Sequence, residues 1–331
     1  MKKITQLLVL SIFIIACGGR EFPEVVNVDS LEKTDFVSTL DEKIKPNQNQ
    51  IYCSTLPYAW FEIREELKDE IKSDSKSITR LNEADNYQNS LASHEISTSI
   101  EIEAGVIKAS AYFRKSLPFT LEFIRNKYDL KFNESDVESF GLSGYDEFDV
   151  KKQIEIIDYK NDNNFLLKLL PKDTTHEIFI FFPKKNSFKN LSEVIKSIHK
   201  RIDKSDKVKI TDKNYWKYEF LENDIFSMPV MSYNTEKNYH DITGQTFKVN
   251  EQDYSVDLCY QSIAFILDEA GAEIESEALV ELSTEESQKI DLPQPKNLIL
   301  DHPFFIMLKR TDSDNPYLAM WIDNEALMIK K

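Results

Sequence analysis

The sequence predicts an α+β fold, with helices beside mixed and antiparallel sheets, from three patterns. Trp60, Ile63, Leu67 and Ile71 recur at helical spacing, as do Leu191, Val194, Ile195 and Ile198, so each set lays one apolar stripe on a helix. Ile96, Thr98, Ile100 and Ile102 alternate with polar neighbours, the period of a strand with one buried face. Residues 254–267 are again strand-rich. The chain of 331 residues is long enough to bury a sizeable core.

Taken from the start, Met1-Lys2-Lys3 precedes an apolar run from Ile4 to Ala16, broken only by Thr5, Gln6 and Ser11. Such a run is a secretory signal over 1–16, too short to remain as a spanning helix. It closes in Ile14-Ile15-Ala16-Cys17-Gly18, which resembles a bacterial lipoprotein box. That resemblance implies cleavage before Cys17 and lipid on its thiol and new amino group. Several acyl chains anchor stably where one is marginal, so the chain is expected to be membrane-anchored outside the cytoplasm, on the periplasmic face or cell surface. Residues 17–50 contain Gly18-Gly19, Pro23 and many charges with little periodicity, and read as a flexible tether. A single domain is then expected over 51–331. Within it, residues 73–93 are polar and read as loop or exposed helix, and Met228-Pro229-Val230-Met231 opens an extended stretch.

The late part of the chain is the most informative. Asp268-Glu269-Ala270-Gly271-Ala272-Glu273 ends a strand-like run, and no Gly or Pro follows until Pro293 and Pro295. Counting by two, Ala272, Ile274, Ser276, Ala278, Val280 and Leu282 are apolar or small. Between them stand Glu273, Glu275, Glu277, Leu279 and Glu281, acidic but for one. This is the pattern of a strand with one face buried and one in water. Ile274, Ala278 and Leu282 are also four apart, so a helix fits the same residues. A segment with both options is a candidate switch, and 271–295 is expected to be an exposed loop.

Glu269-Ala270-Gly271-Ala272-Glu273 resembles the hinge of the serpins, the serine-protease-inhibitor family, which leads into their reactive-centre loop. Asp301-His302-Pro303-Phe304-Phe305 with Asn315-Pro316-Tyr317-Leu318-Ala319-Met320 resembles their C-terminal hairpin. Ile51-Tyr52-Cys53-Ser54-Thr55 resembles their first core strand. Ala109 to Phe113 and then Phe123 to Tyr128 are similar to a strand and a short segment ending in Lys-Tyr. Phe165 to Pro171 and Ile178 to Pro183 are similar to paired strands that each end in Pro. The family's central Asn-Ala-x-x-Phe-x-Gly-x-Trp strand has no counterpart, so the large central sheet is expected to lack a strand. The resemblance implies a serine protease as partner, attack near Glu285-Glu286, and trapping of the acyl-enzyme as the loop enters a sheet. A glutamate-selecting protease is the partner so implied. The alternative is a non-inhibitory lipoprotein of the same fold that binds another extracytoplasmic protein through the same acidic loop.

Other chemistry is poorly represented. A net charge of −16 argues against nucleic acid, which wants clustered cations. Seven glycines supply no phosphate-cradling or dinucleotide spacing. His94, His176, His199, His240 and His302 form no helical metal pair, and no Cys-x-x-Cys or Gly-x-Ser-x-Gly occurs. No metal, cofactor or enzymatic activity is expected, and the protein is expected to be monomeric. Cys53 and Cys259 remain after export, where a disulfide is permitted, and two buried free thiols are the other reading.

Overall fold

Three stretches of nearly unbroken apolar residues, within 165–170, 178–182 and 304–308, lie side by side in a computed structural model of the chain, at the centre of a seven-stranded sheet. The structure describes residues 21–272 and 294–331, apart from 32, 104–105, 144–147, 185–187, 209 and 212. The strand order is Ile154–Asn161, Asn164–Leu169, His176–Phe182, Phe304–Arg310, Pro316–Ile322, Asn49–Cys53 and Thr34–Phe36. Neighbours are antiparallel except the last pair. Both faces of this sheet are covered, which is why its strands lack polar alternation.

The register sorts the two faces. Leu167, Ile180, Ile306, Met320 and Ile51 stand opposite one another across five strands, in the main core. One residue along, Leu166, Phe181, Phe305 and Trp321 form the opposite row, in a second cluster. Helix Leu191–Ser205 closes that second face with Leu191, Val194, Ile195 and Ile198, the stripe read from the sequence. Asn190 caps its start by accepting the Glu193 N–H at 2.9 Å.

The main core is closed by smaller sheets. One runs Asn297–Ile299, Ile225–Pro229, Ser139–Ser143 and Ile124–Arg125, and another runs Val26–Asn27, Met231–Asn238 and Tyr260–Leu267. The hairpin of Ser97–Glu103 with Val106–Tyr112 joins neither and packs on helix Thr55–Leu67. The largest sheet has seven strands among the described residues. The large sheet contains the paired strands and the C-terminal hairpin, whereas the sheet leading to Gly271 has three strands among the described residues. The segments quoted for the first core strand, the paired strands and the C-terminal hairpin all form strands, within an α+β fold.

Three expectations are corrected. Residues 26–50 are not a tether: Val28, Phe36, Val37, Leu40 and Ile44 are buried, and Thr34–Phe36 is an edge strand. These apolar residues fill separate gaps as the chain wraps the core, so they leave no periodic stripe. The Trp60 helix stops at Leu67, because Lys68 adopts the left-handed conformation at φ 55°, and Ile71 is buried beyond the helix. Residues 73–93 include helix Lys76–Glu83, which buries Ile78 and Leu81. No helix among the described residues is long and apolar enough to cross a membrane.

The two ends of the chain are locked by reciprocal amides. Asn49 donates to Asn324 Oδ1 at 2.8 Å, while its own Oδ1 accepts the backbone N–H groups of Asp323 and Asn324. Asn49 is fully buried. Asn49→Ala strands these partners and is expected to cost about 2–3 kcal/mol, read as a lower urea midpoint at unchanged slope. A midpoint equal to wild type rules the lock out.

Candidate functional site

Gly271 ends a tight turn in which its N–H donates to the Asp268 carbonyl at 3.2 Å and the Ala270 N–H donates to Asp268 Oδ1 at 3.0 Å. Its φ of +115° is one that L side chains rarely adopt. A Cβ there would stand 2.6 Å from the Leu117 carbonyl oxygen and 2.6 Å from the Phe119 nitrogen. Glycine is therefore required twice, by conformation and by space. The close approach lets Gly271–Ala272 pair with Leu117–Pro118, Gly271 opposite Pro118 and Ala272 opposite Leu117. The Phe119 N–H donates to Ala270 and the Phe123 N–H to Glu269, pinning the turn from the other side.

Below this pair opens a cleft of about 1230 Å³. One wall is the Tyr260–Ile266 run of its strand, the other is Ile107–Tyr112, and both Ala272 and Leu117 stand at its head. Consecutive residues of both strands line it, so each presents an edge rather than a face. Among the described residues, Tyr260–Leu267 pairs only with Met231–Asn238, and Val106–Tyr112 only with Ser97–Glu103. Two unpaired strand edges thus face one gap, over a floor that includes Leu56, Trp60 and Ile63 of the helix. Tyr112, Leu258 and Tyr260 are exposed on its rim.

Two charge clusters hold the walls. Arg125 spans Glu138 and Glu269, meeting Glu269 at 2.6 Å, and so ties the turn to the neighbouring sheet. Glu95 lies under the base of the hairpin and is almost fully buried. It receives Lys115 at 2.6 Å, Arg310 at 2.7 Å, His176 Nε2 at 2.8 Å and the Ala92 N–H at 3.0 Å. Burial alone would raise the Glu95 carboxyl, yet these donors, Lys115 foremost, hold it well below the usual carboxylate range. Asp173 also pairs with Lys115; burial opposes its ionisation, but Thr175 and Lys115 bring its carboxyl down to about 2. His176 is pushed down chiefly by burial, against the pull of Glu95.

The residues singled out in the sequence fare unevenly. Glu269, Gly271 and Ala272 come together at the head of the cleft. Gly271 and Ala272 are buried strand residues rather than the start of an exposed loop. Cys17, Glu273, Glu285 and Glu286 lie outside the described residues. Cys53 and Cys259 are not joined; both are free and buried. Burial raises the Cys53 thiol and pushes Cys259 up to about 12, so both behave as small hydrophobes. Arg125, Glu138, Glu95 and Lys115 carry no local signal, because each finds its partner only through the fold. No group of three or more His, Cys, Asp or Glu among the described residues could hold a metal.

Two measurements test this geometry. Gly271→Ala meets both a strained φ and backbone contacts, and is expected to cost about 2 kcal/mol or more in denaturant unfolding; an unchanged midpoint contradicts the close approach. For the Glu95 cluster, depressed folded pKa values mean that the unfolded chain binds more protons. Stability is therefore present at neutral pH and falls with acidification, the His176 share below about pH 6.5 and the Glu95 share below about pH 4.5. Glu95→Gln should lower the melting temperature at neutral pH and flatten the acid limb. A parallel profile in the variant excludes the cluster as the cause.

No family model matches the sequence, and no curated protein matches it. Among solved structures the chain is similar to thyroxine-binding globulin in complex with thyroxine, with a TM-score of 0.39 and 8% identity over 66% of this chain. It is similar to serpin-12 of Manduca sexta, with a TM-score of 0.41 and 13% identity over 67% of this chain. A serpin from the trematode Schistosoma haematobium gives a TM-score of 0.40 and 13% identity over 66% of this chain. The match spans 56% of each of those chains, little more than half their length. A likeness of this degree brings no activity with it.

Proposed function

We propose that this serpin-like protein inhibits a serine protease by offering the segment after Ala272 as substrate and then drawing it into the cleft as a new strand. The observation that carries this reading is the Gly271–Ala272 pair, a strand already begun at the head of a gap between two unpaired edges. If its register continues, Ser276 falls opposite Phe113 and Ala278 opposite Ala111. The Asp268 to Gly271 bridge, continued as a hairpin, sets Ile274, Ser276 and Ala278 opposite Phe265, Ile263 and Gln261. Those three strand residues are buried, while Tyr260, Ser262 and Ala264 are exposed. On that continuation both walls would direct the even-numbered loop residues to the floor and leave Glu273, Glu275, Glu277 and Glu281 in water. That is the parity of the sequence itself, and a one-residue slip would bury the glutamates.

Attack near Glu285-Glu286 would leave more than enough chain to fill the cleft, and a glutamate-selecting serine protease is the implied target. The inserted strand would pair on both edges, and its burial would supply the energy that traps the acyl-enzyme. Lipid at Cys17 would hold the domain close to the membrane outside the cytoplasm, since the chain is already buried in the core at Val28. A second reading, capture of an extended segment of another extracytoplasmic protein in the same cleft, is favoured by the exposed rim of Tyr112, Leu258 and Tyr260.

The test is a parity comparison. Wild type mixed with a glutamate-selective serine protease should give a complex that survives denaturing electrophoresis, and cleaved protein should melt well above intact protein. Ala278→Glu, on the inward parity, should abolish both effects, while Glu277→Ala, on the outward parity, should leave them. Equal behaviour of the two variants, or cleavage without stabilisation, overturns insertion.

A further inference from the structure

The chain is strongly acidic, yet one pocket concentrates the opposite charge. A cavity of about 280 Å³ lies between strand Ile154–Asn161, the last turns of helix Leu191–Ser205 and the 3-10 turn Tyr215–Lys217. Lys160, Arg201, Lys204 and Lys217 line it, and among the described residues Asp158 is its one carboxylate. Asp158 is already engaged, accepting from Arg201 Nη1 at 2.9 Å, with the Lys160 ammonium at 3.8 Å. Among the described residues, no carboxylate lies within 4.0 Å of the Lys204 or Lys217 ammonium.

The cations differ in how firmly they are placed. Arg201 is largely buried, its side chain 13% exposed, and its guanidinium rests 4.6 Å from the centre of the Phe181 ring. Its Nη2 donates to Asn164 Oδ1 at 2.7 Å, which leaves the fork aimed by three contacts. Lys217 rests over the Trp216 ring at 5.4 Å. The Lys160 ammonium is pushed down by partial burial and then by the repulsion of Arg201 and Lys204. Lys204 has an ordinary explanation, since a cation in the last helical turn complements the helix dipole. Lys160 stands on a strand, where no helix dipole calls for it, and Lys217 ends a single 3-10 turn.

We propose that this pocket binds a compact tetrahedral oxyanion, the phosphate or sulfate class, between Lys160, Lys217 and the Arg201 fork. Planar, pre-oriented guanidinium donors and flanking ammonium groups match the oxygens of such an ion. The Ser205 and Tyr218 hydroxyls in the same lining can add neutral donors. The overall charge of −16 repels anionic bilayers, so the ligand is a small soluble ion or the terminal group of a small soluble ester. Among the described residues the pocket shares no lining residue with the cleft.

The test uses the full chain. Sodium phosphate and sodium sulfate are titrated in separate calorimetric runs at ionic strength held constant with sodium chloride, and melting temperature is followed in parallel. Saturable one-site binding is expected with at least one of the two ions, with a rise in melting temperature that chloride does not reproduce. The Lys160→Gln, Lys217→Gln double variant should weaken Kd at least tenfold, and Arg201→Lys should weaken it while keeping the charge. Lys200→Gln, exposed on the same helix outside the pocket, should bind as wild type. Absence of saturation beyond chloride, or equal weakening by Lys200→Gln, overturns the site. Because protease inhibition is not the readout, its failure leaves this result unaffected.

Discussion

Everything about the cleft depends on how closely the backbone at Gly271 approaches Leu117 and Phe119. That contact admits no side chain, and it seats Ala272 against Leu117 on the buried face. Once one residue of an extended segment is assigned to a face, alternation assigns the rest. A turn of four residues thereby fixes the face on which Ala272 stands. The floor, with Trp60, Ile63 and Leu56, is complementary to small and aliphatic residues and hostile to carboxylates.

Apolar packing does not hold the walls of this gap by itself. The hairpin 97–112 is a separate two-stranded ribbon, and such ribbons are marginal in water without support. Its support is helix Thr55–Leu67 on one face and the Glu95 cluster at its base, where strands from the large sheet contribute His176 and Arg310. The turn is held in the same way through Arg125 and Glu269. At the far side of the acidic segment, Lys296 and Asp224 form a pair at 2.5 Å with both side chains 1% exposed. The Lys296 ammonium also donates to the Trp216 carbonyl, and the Lys296 N–H to Asp224, so the buried charges are fully engaged. Buried charges are costly unless so satisfied, and their geometry fixes where elements sit more than it adds stability.

Residues 26–50 show how a sequence can conceal structure. Their apolar members, Val28, Phe36, Val37, Leu40 and Ile44, divide between two core clusters on opposite faces of the large sheet. A segment that crosses a sheet edge and serves both faces has no single period, so it reads as a tether. The reverse holds for helix Leu191–Ser205, which serves one face along its whole length and is fully legible as a stripe.

The sequence by itself determined the α+β class and the buried stripe of helix Leu191–Ser205, and its resemblance to a hinge marked Gly271. All of these are short-range properties, set by backbone period and by the steric demands of single residues. Only the tertiary structure decided that two unpaired strand edges border one gap, that Arg125 and Glu95 brace its walls, and that Cys53 and Cys259 stay apart as buried thiols. Those facts rest on contacts between residues far apart along the chain, such as Arg125 with Glu269 and Glu95 with Arg310. No local pattern encodes such partners, because their closeness is the sum of every turn and packing choice between them.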